Sequence, residues 1–110
     1  MNIQIFGTKK CKATQKALRF FKERGIKPHF VDLNEQTIKK GELTNIRRSI
    51  PLAELIDTGG KEYQRLNLKY LVHDVEEQLL AHPLLFKTPI VRHGSHVTVG
   101  HQPEVWKSWL

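Results

Sequence analysis

The sequence of 110 residues has little sulfur, few acids and no long apolar run. Its single cysteine, Cys11, excludes an internal disulfide framework and so argues against a small secreted disulfide-rich domain. No apolar run approaches the roughly 20 residues that a membrane-spanning helix needs, and the N-terminus shows no secretory signal. These absences predict one soluble, cytoplasmic domain over residues 1–110 that has no membrane partner.

The shortage of acids leaves a strong positive charge in one place. The chain has 18 Lys and Arg against 11 Asp and Glu, and its net charge is +7. Residues 9–27 contain eight of these bases and one acid, Glu23, so this window alone accounts for the excess. Such a window attracts anions, although an ordinary solvated helix face would look the same. Nucleic acid is not the expected partner, because the helical spacing of Phe20 and Phe21 is more typical of a core than of a base-stacking platform.

The first third of the chain predicts a βαβ unit. Alternating apolar residues predict a strand over 2–6, and a second strand is predicted over 27–33. Between them a basic amphipathic helix is predicted over 11–24, ended by Gly25. A strand, helix and strand of this length predict two parallel strands joined by a right-handed crossover.

The middle of the chain, about residues 34–82, reads as a helical insert. A helix start is predicted at Asn34–Lys40, and the Asp57–Gly60 stretch has the composition of a loop. A clear helix is predicted at Asp74–Ala81, with Asp74 as its N-cap.

The last part of the chain predicts a hairpin followed by a helix. Strands at 90–91 and 97–99 flank a turn that contains Gly94, and a C-terminal helix is predicted over 103–110. The order is therefore β-α-β, a helical insert, then β-β-α, which defines an α/β fold.

Cys11 carries the chemistry that stands out. It is predicted at the start of the first helix, where outward-pointing N–H groups and the helix dipole favour an anion. Lys9, Lys10 and Lys12 add positive charge, and both effects favour the nucleophilic thiolate over the thiol. A lone cysteine is often only a small buried hydrophobe, but flanking lysines are not core residues, so the sequence favours a reactive thiol.

Other polar residues are weaker candidates. Thr8 and Thr14 could donate hydroxyl hydrogen bonds to the thiolate, although threonine at a helix start often serves only as a cap. The histidines near the hairpin turn, His93 and His96, have no partner ligands at a known metal-binding spacing, so no metal site is predicted.

Four segments together resemble the arsenate reductase-like family (ArsC/Spx) of the thioredoxin-like superfamily, over essentially the whole chain. They are Gly7–Leu18, Leu55–Gln64, His82–Val91 and Val97–Glu104. The resemblance implies a thioredoxin-like domain in which a four-stranded mixed sheet carries the helical insert. It also implies that Cys11 is the nucleophile, facing a cis-proline, Pro89, that opens the third strand.

The sequence departs from the family where arsenate would be held. The resemblance implies three arginines around the thiolate, but the matching positions are Gly59, Thr88 and His101. An oxyanion needs planar, permanently charged donors, so poor arsenate reduction is predicted. His101 remains a candidate acid, base or anion donor. The regulator branch of the family often has a Cys-x-x-Cys switch, and Thr14 at the second position excludes one here.

The resemblance and the residues together predict a single-cysteine thiol oxidoreductase. Its thiolate would attack an electrophilic sulfur or an oxyanion, and glutathione or another external thiol would resolve the adduct as co-substrate, with no bound cofactor. The alternative is a non-catalytic regulatory module, similar to the family's RNA polymerase-binding regulators, that uses its basic face to contact a protein partner. Besides the catalytic Cys11, the residues predicted to bind substrate or anion are Thr8, Lys9, Lys10, Lys12, Thr88, Pro89 and His101.

Overall fold

The computed structural model describes residues 1–110 and has the predicted order of elements. None of its helices is long and apolar enough to cross a bilayer. The strands and helices, in chain order, are β1 (Gln4–Gly7), α1 (Lys12–Lys22), β2 (His29–Asp32), α2 (Lys40–Arg47), α3 (Leu52–Leu55), α4 (Lys61–Arg65), α5 (Val75–Ala81), β3 (Ile90–His93), β4 (His96–Val99) and α6 (Pro103–Ser108). Two short 3₁₀ turns, Leu68–Tyr70 and Pro83–Leu85, complete the insert.

The four strands form one mixed sheet in the order β2-β1-β3-β4. β1 and β2 are parallel, as predicted for the βαβ unit, and β3 is antiparallel to both of its neighbours, β1 and β4. The α/β fold with a four-stranded mixed sheet is thereby confirmed. β1 ends at Gly7, close to where β3 begins, so this end of the sheet receives the loop that carries Cys11.

Side chains alternate across the sheet and bury a separate core on each face, as the two-residue period of a strand requires. On the insert face, Phe6 of β1 lies in a cluster of 13 buried residues that includes Ile90 of β3. On the other face, Ile5 lies in a cluster of seven buried residues that includes Val91. α1 and α6 cover this second face, and Trp106 of α6 is fully buried there.

The first helix is shorter than predicted at both ends, and its termination follows from Gly25. Gly25 has a φ of +73°, a left-handed conformation that glycine adopts without steric cost. The N–H of Ile26 then donates to the carbonyl of Phe21 at 2.9 Å, which closes the helix end. On the buried face, Thr14 is fully buried, which the sequence pattern did not predict.

The predicted helix start at Asn34–Lys40 is wrong. The Asp32 side chain accepts the N–H of Asn34 at 3.0 Å, and the Asp32 carbonyl accepts the N–H of Gln36 at 3.0 Å, so the chain turns directly after β2. Residues 36–39 are irregular, and the fully buried side chain of Ile38 fixes this segment to the insert-side core. Helical structure begins only at Lys40.

The predictions for the second half of the chain agree with the structure more closely than the prediction for residues 34–40 does. Asp74 caps α5, because its carboxylate accepts the N–H of Glu77 at 2.9 Å. β3 and β4 form the predicted hairpin, and Gly94 lies in the turn with a φ of +60°. α6 is docked by a buried hydrogen bond in which the Trp106 indole Nε1–H donates to the Thr98 hydroxyl at 2.8 Å.

Candidate active site

Cys11 is the N-cap residue of α1, and its side chain is partly exposed. Its own N–H donates to the Thr8 carbonyl at 3.2 Å, so the loop turns tightly before the helix. Its carbonyl accepts the N–H of Gln15 at 3.0 Å, which is the first hydrogen bond of the helix. The thiol therefore lies next to the first-turn N–H groups, which have no partners within the helix.

Thr88 brings β3 to the thiol. The Thr88–Pro89 peptide bond is cis, and β3 starts immediately afterwards at Ile90. The Thr88 hydroxyl donates to Cys11 Sγ at 3.2 Å, and Sγ also lies 3.9 Å from the Thr88 carbonyl oxygen. Residues that are 77 positions apart in the sequence are thus in direct contact.

Hydrogen bonds lower the pKa of the Cys11 thiol. Burial is the largest single influence and raises the pKa, but hydrogen bonds from the side chains of Thr14 and Thr88 and from the N–H groups of Thr14 and Ala13 outweigh it. Each of these donors stabilises the thiolate more than the thiol. The expected effect of Lys9, Lys10 and Lys12 is not among the causes, because exposed ammonium groups are screened by water.

Thr14 and Thr88 are unequal partners of the sulfur. The Thr14 hydroxyl is fully buried and has no partner with good hydrogen-bond geometry, so its contact with Sγ is long or poorly directed. The Thr88 hydroxyl makes the well-formed bond. Thr14 also packs against Gly7, where a Cβ atom would collide with the Thr14 hydroxyl and lie 2.6 Å from its methyl group.

A cleft of about 640 Å³ opens beside Cys11 and Thr88. It is lined by residues of both charges, including the carboxylates of Glu54 and Asp57 and the ammonium group of Lys87. Asp57 and Thr88 also line a second groove of about 490 Å³, so the two hollows meet at these residues. The thiol is therefore open to a substrate larger than a single small anion.

The structure brings some of the predicted residues into this site and leaves others outside it. Pro89, the residue after Thr88, is buried, and Thr8 lines the second groove. The three flanking lysines are exposed and do not line the cleft. His101 is also exposed and packs edge-on against Trp106, with ring centroids 5.7 Å apart, so it lies outside the cleft lining although its neighbours Gly100 and Gln102 belong to it.

Sequence reasoning missed four polar residues of the cleft. Lys87 could have been found from its position next to Thr88, and Gln102 from its position next to His101. Asp57 lies in the recognised loop, and its carboxylate packs against Gly60, where a Cβ atom would lie 2.6 Å from Asp57 Oδ2. Glu54 gave no signal, because only the folded insert brings α3 to the thiol.

The fold and the site define the class of protein. The cysteine at the N-cap of the first helix contacts Thr88, the residue before the cis-proline, at one end of a four-stranded mixed sheet. The chain belongs to the ArsC family, whose model matches residues 6–109. No curated sequence matches the chain closely enough to count as a relative.

Solved structures of similar proteins share the fold over almost the whole chain. An arsenate reductase from Vibrio cholerae is 22% identical, with 100% of this chain and 98% of that chain covered, at a TM-score of 0.83. A protein from Staphylococcus aureus is 26% identical, with 96% of each chain covered, at a TM-score of 0.77. An arsenate reductase related protein from Brucella melitensis is 23% identical, with 99% and 94% covered, at a TM-score of 0.70.

Proposed function

We propose that this protein is a single-cysteine thiol–disulfide oxidoreductase that uses glutathione as its external thiol. The observation that carries the proposal is the hydrogen bond from the Thr88 hydroxyl to Cys11 Sγ, in a partly exposed position beside a cleft. This bond contributes to the lowered pKa of the thiol, and a larger thiolate fraction makes the sulfur a better nucleophile at neutral pH. A reduced thiol of this kind fits the cytoplasmic location predicted from the sequence.

The reaction takes place in two exchanges. The Cys11 thiolate attacks the glutathione sulfur of a mixed disulfide, the substrate thiolate leaves and takes up a proton, and Cys11 is left joined to glutathione. A second glutathione thiolate then attacks this adduct, forms glutathione disulfide and regenerates the Cys11 thiolate. The substrate is reduced by two electrons, and the chain needs no second cysteine.

The lining of the cleft favours a sulfur electrophile over an oxyanion. The three positions that the family fills with arginine hold Gly59, Thr88 and His101. Glu54 and Asp57 line the cleft, and repulsion between their carboxylates and a multiply charged anion such as arsenate disfavours that ligand. Lys87 supplies a single cation, enough to contact one carboxylate of a peptide thiol.

The test is turnover of a glutathione mixed disulfide in the presence of reduced glutathione. We expect the wild-type chain to accelerate release of the substrate thiol and the Cys11→Ser variant to be inactive at equal circular dichroism. An alkylation profile of Cys11 with its midpoint below about 8.5, the value of a free thiol, is expected in the same preparation. A wild-type chain no faster than the variant would contradict the proposal and favour the alternative, a regulatory module whose partner affinity survives Cys11→Ser.

Arsenate provides a second test of the same site. With glutathione as reductant we expect no arsenate turnover above background, because the cleft has no guanidinium group to hold the oxyanion and Arg65 of the adjoining groove is paired with Glu62. The measurement is arsenite formation in the preparation that reduces the mixed disulfide. Efficient arsenate reduction would show that the missing arginines are dispensable and that the proposed choice of substrate is wrong.

A further inference from the structure

A polar groove lies at the end of the sheet opposite to Cys11, where β1 and β2 begin and β3 ends. Two adjoining hollows of about 340 and 290 Å³ form it, and they share Arg92 and Gly94. We propose that this groove, the arginine groove, binds a small phosphate-bearing anion. The proposal uses no residue of the thiol site and is independent of the proposed function.

Arg92 is held in place with part of its guanidinium group free. Its Nη1 donates to Gln4 Oε1 at 3.0 Å and lies 3.9 Å from Glu42 Oε2. The remaining guanidinium nitrogens have no protein partner. Glu42 itself accepts the Lys39 N–H at 3.0 Å and the Gln4 amide at 3.3 Å and does not line the groove. Glu42 therefore helps to position Arg92 through Nη1 only, and the other N–H groups of the guanidinium remain available to a ligand.

Arg48 supplies a guanidinium group that no carboxylate of the chain neutralises. It follows α2, lines the second hollow together with Arg92, and makes no ion pair or side-chain hydrogen bond. Its neighbour Arg47 differs in two respects. Arg47 Nη1 forms an ion pair with Glu76 Oε2 at 3.3 Å, and the Arg47 side chain does not line the groove. Two arginines thus line one polar hollow, and guanidinium groups are the side chains best suited to contact phosphate oxygens.

The hairpin turn adds neutral donors and no negative charge. The backbone N–H groups of Gly94 and Ser95 have no hydrogen-bond acceptor in the protein, and both residues line the second hollow, so these N–H groups are available to an anion. A Cβ at Gly94 would meet nothing within 4 Å, so the approach to the turn is open. No carboxylate lines either hollow, and Val97 is the one apolar lining residue. The exposed imidazole of His29 is the only ring in the lining, and the polar groups that make up most of the groove fit the phosphate part of a ligand.

The test is an NMR titration of the wild-type chain with orthophosphate and with pyrophosphate, each against chloride at matched ionic strength. We expect saturable shifts of the Gly94 and Ser95 amides, with tighter binding of pyrophosphate because it carries more charge. Arg48→Ala should weaken binding about tenfold or more, as loss of a charge-assisted contact does. The matched control, Arg47→Ala, removes an equal charge one residue away and should bind as the wild type does.

The outcomes distinguish a specific phosphate-binding site from non-specific attraction of anions to a basic protein. Equal weakening by Arg48→Ala and Arg47→Ala would overturn the proposal, as would shifts confined to the lysines of α1 or no shift at either amide. Because the Arg48 side chain has no protein partner, its replacement should leave Tm unchanged, which keeps folding out of the comparison. A nucleoside 5′-monophosphate in a third arm tests the ligand class: its binding should match orthophosphate if only the phosphate is recognised.

Discussion

At the residue scale, the reactivity of Cys11 depends on neutral dipoles that point at the sulfur. The Thr88 hydroxyl and the first N–H groups of α1 stabilise the negative charge of the thiolate at short range. Partial burial opposes them, because desolvation disfavours the charged form. Short, directed contacts of this kind are little screened by salt, so the alkylation profile should change little with ionic strength.

Removal of the Thr88 hydroxyl tests this account. Thr88→Val keeps the shape of the side chain and removes the donor to Sγ, so the pKa of Cys11 should rise. The pH profile of alkylation should move to higher pH, and the rate at neutral pH should fall because less thiolate is present. Thr58→Val, at an exposed loop position, is the control and should leave the profile in place. An unchanged profile in Thr88→Val would assign the lowered pKa to the Thr14 hydroxyl and the first N–H groups of α1.

The sequence predicted that Cys11 faces the start of β3, and the structure places it against Thr88, but the sequence predicted only part of the surroundings of this contact. Cys11 followed from the local pattern of a strand, a basic loop and a helix, and Thr88 from the resemblance. Glu54 and Asp57 belong to the insert, and no local pattern says which side of the insert faces the thiol. The three flanking lysines do not contribute to the lowered pKa of Cys11, and their exposure to water could not be read from their proximity in the sequence.

At the element scale, the end of β1 lies in very close contact with the start of α1. Gly7, the last residue of β1, is buried against Thr14, which lies in the first turn of α1. No side chain fits between them, because a Cβ would overlap the threonine. The position of the thiol at the N-cap therefore depends on a glycine at the end of the preceding strand.

A pair of glycine variants measures this contact. Gly7→Ala should destabilise the chain by about 1–3 kcal/mol, the usual cost of overpacking, and should slow Cys11 alkylation by displacing Thr14. Gly41→Ala, in α2, meets nothing within 4 Å and should be neutral or stabilising by about 0.5–1 kcal/mol. Urea unfolding gives both free energies. Equal effects of the two variants would contradict the close contact between β1 and α1.

Elements with strong local signals were predicted and those fixed by tertiary contacts were not. The βαβ unit, the Asp74 cap and the hairpin follow from periodicity and turn residues within each segment. The stretch 34–40 has helix-forming residues, but the Asp32 turn and the burial of Ile38 hold it in an irregular path. Tertiary burial overrode local propensity there.

At the scale of the whole molecule, two cores share one sheet, and Trp106 joins the C-terminal helix to the smaller one. Its ring packs against Phe20 and Phe21 of α1, with centroid distances of 5.3 and 5.6 Å. Its indole N–H donates to the buried hydroxyl of Thr98 on β4. One side chain thus links α1, β4 and α6.

A double-mutant cycle tests this link. Trp106→Phe leaves the Thr98 hydroxyl buried without a partner and should cost about 1–3 kcal/mol of stability beyond the lost packing. Thr98→Val leaves the indole N–H unpaired and should also destabilise the chain. The double variant should be more stable than the sum of the two single effects predicts, since no polar group then remains unpaired. Strict additivity in urea unfolding would show that the hydrogen bond contributes no coupling.

The lone sulfhydryl also makes this chain a selective reporter of what its cleft accepts. Disulfide-bearing fragments that exchange with the Cys11 thiol under mild reductant leave one half joined to Cys11 and release the other half as a thiol, and only adducts that gain contacts with the surrounding walls will be retained. Intact-mass spectra would then read one adduct per molecule with no ambiguity of location. The fragments retained at the highest reductant concentration would outline the chemical character of the natural substrate before that substrate is known.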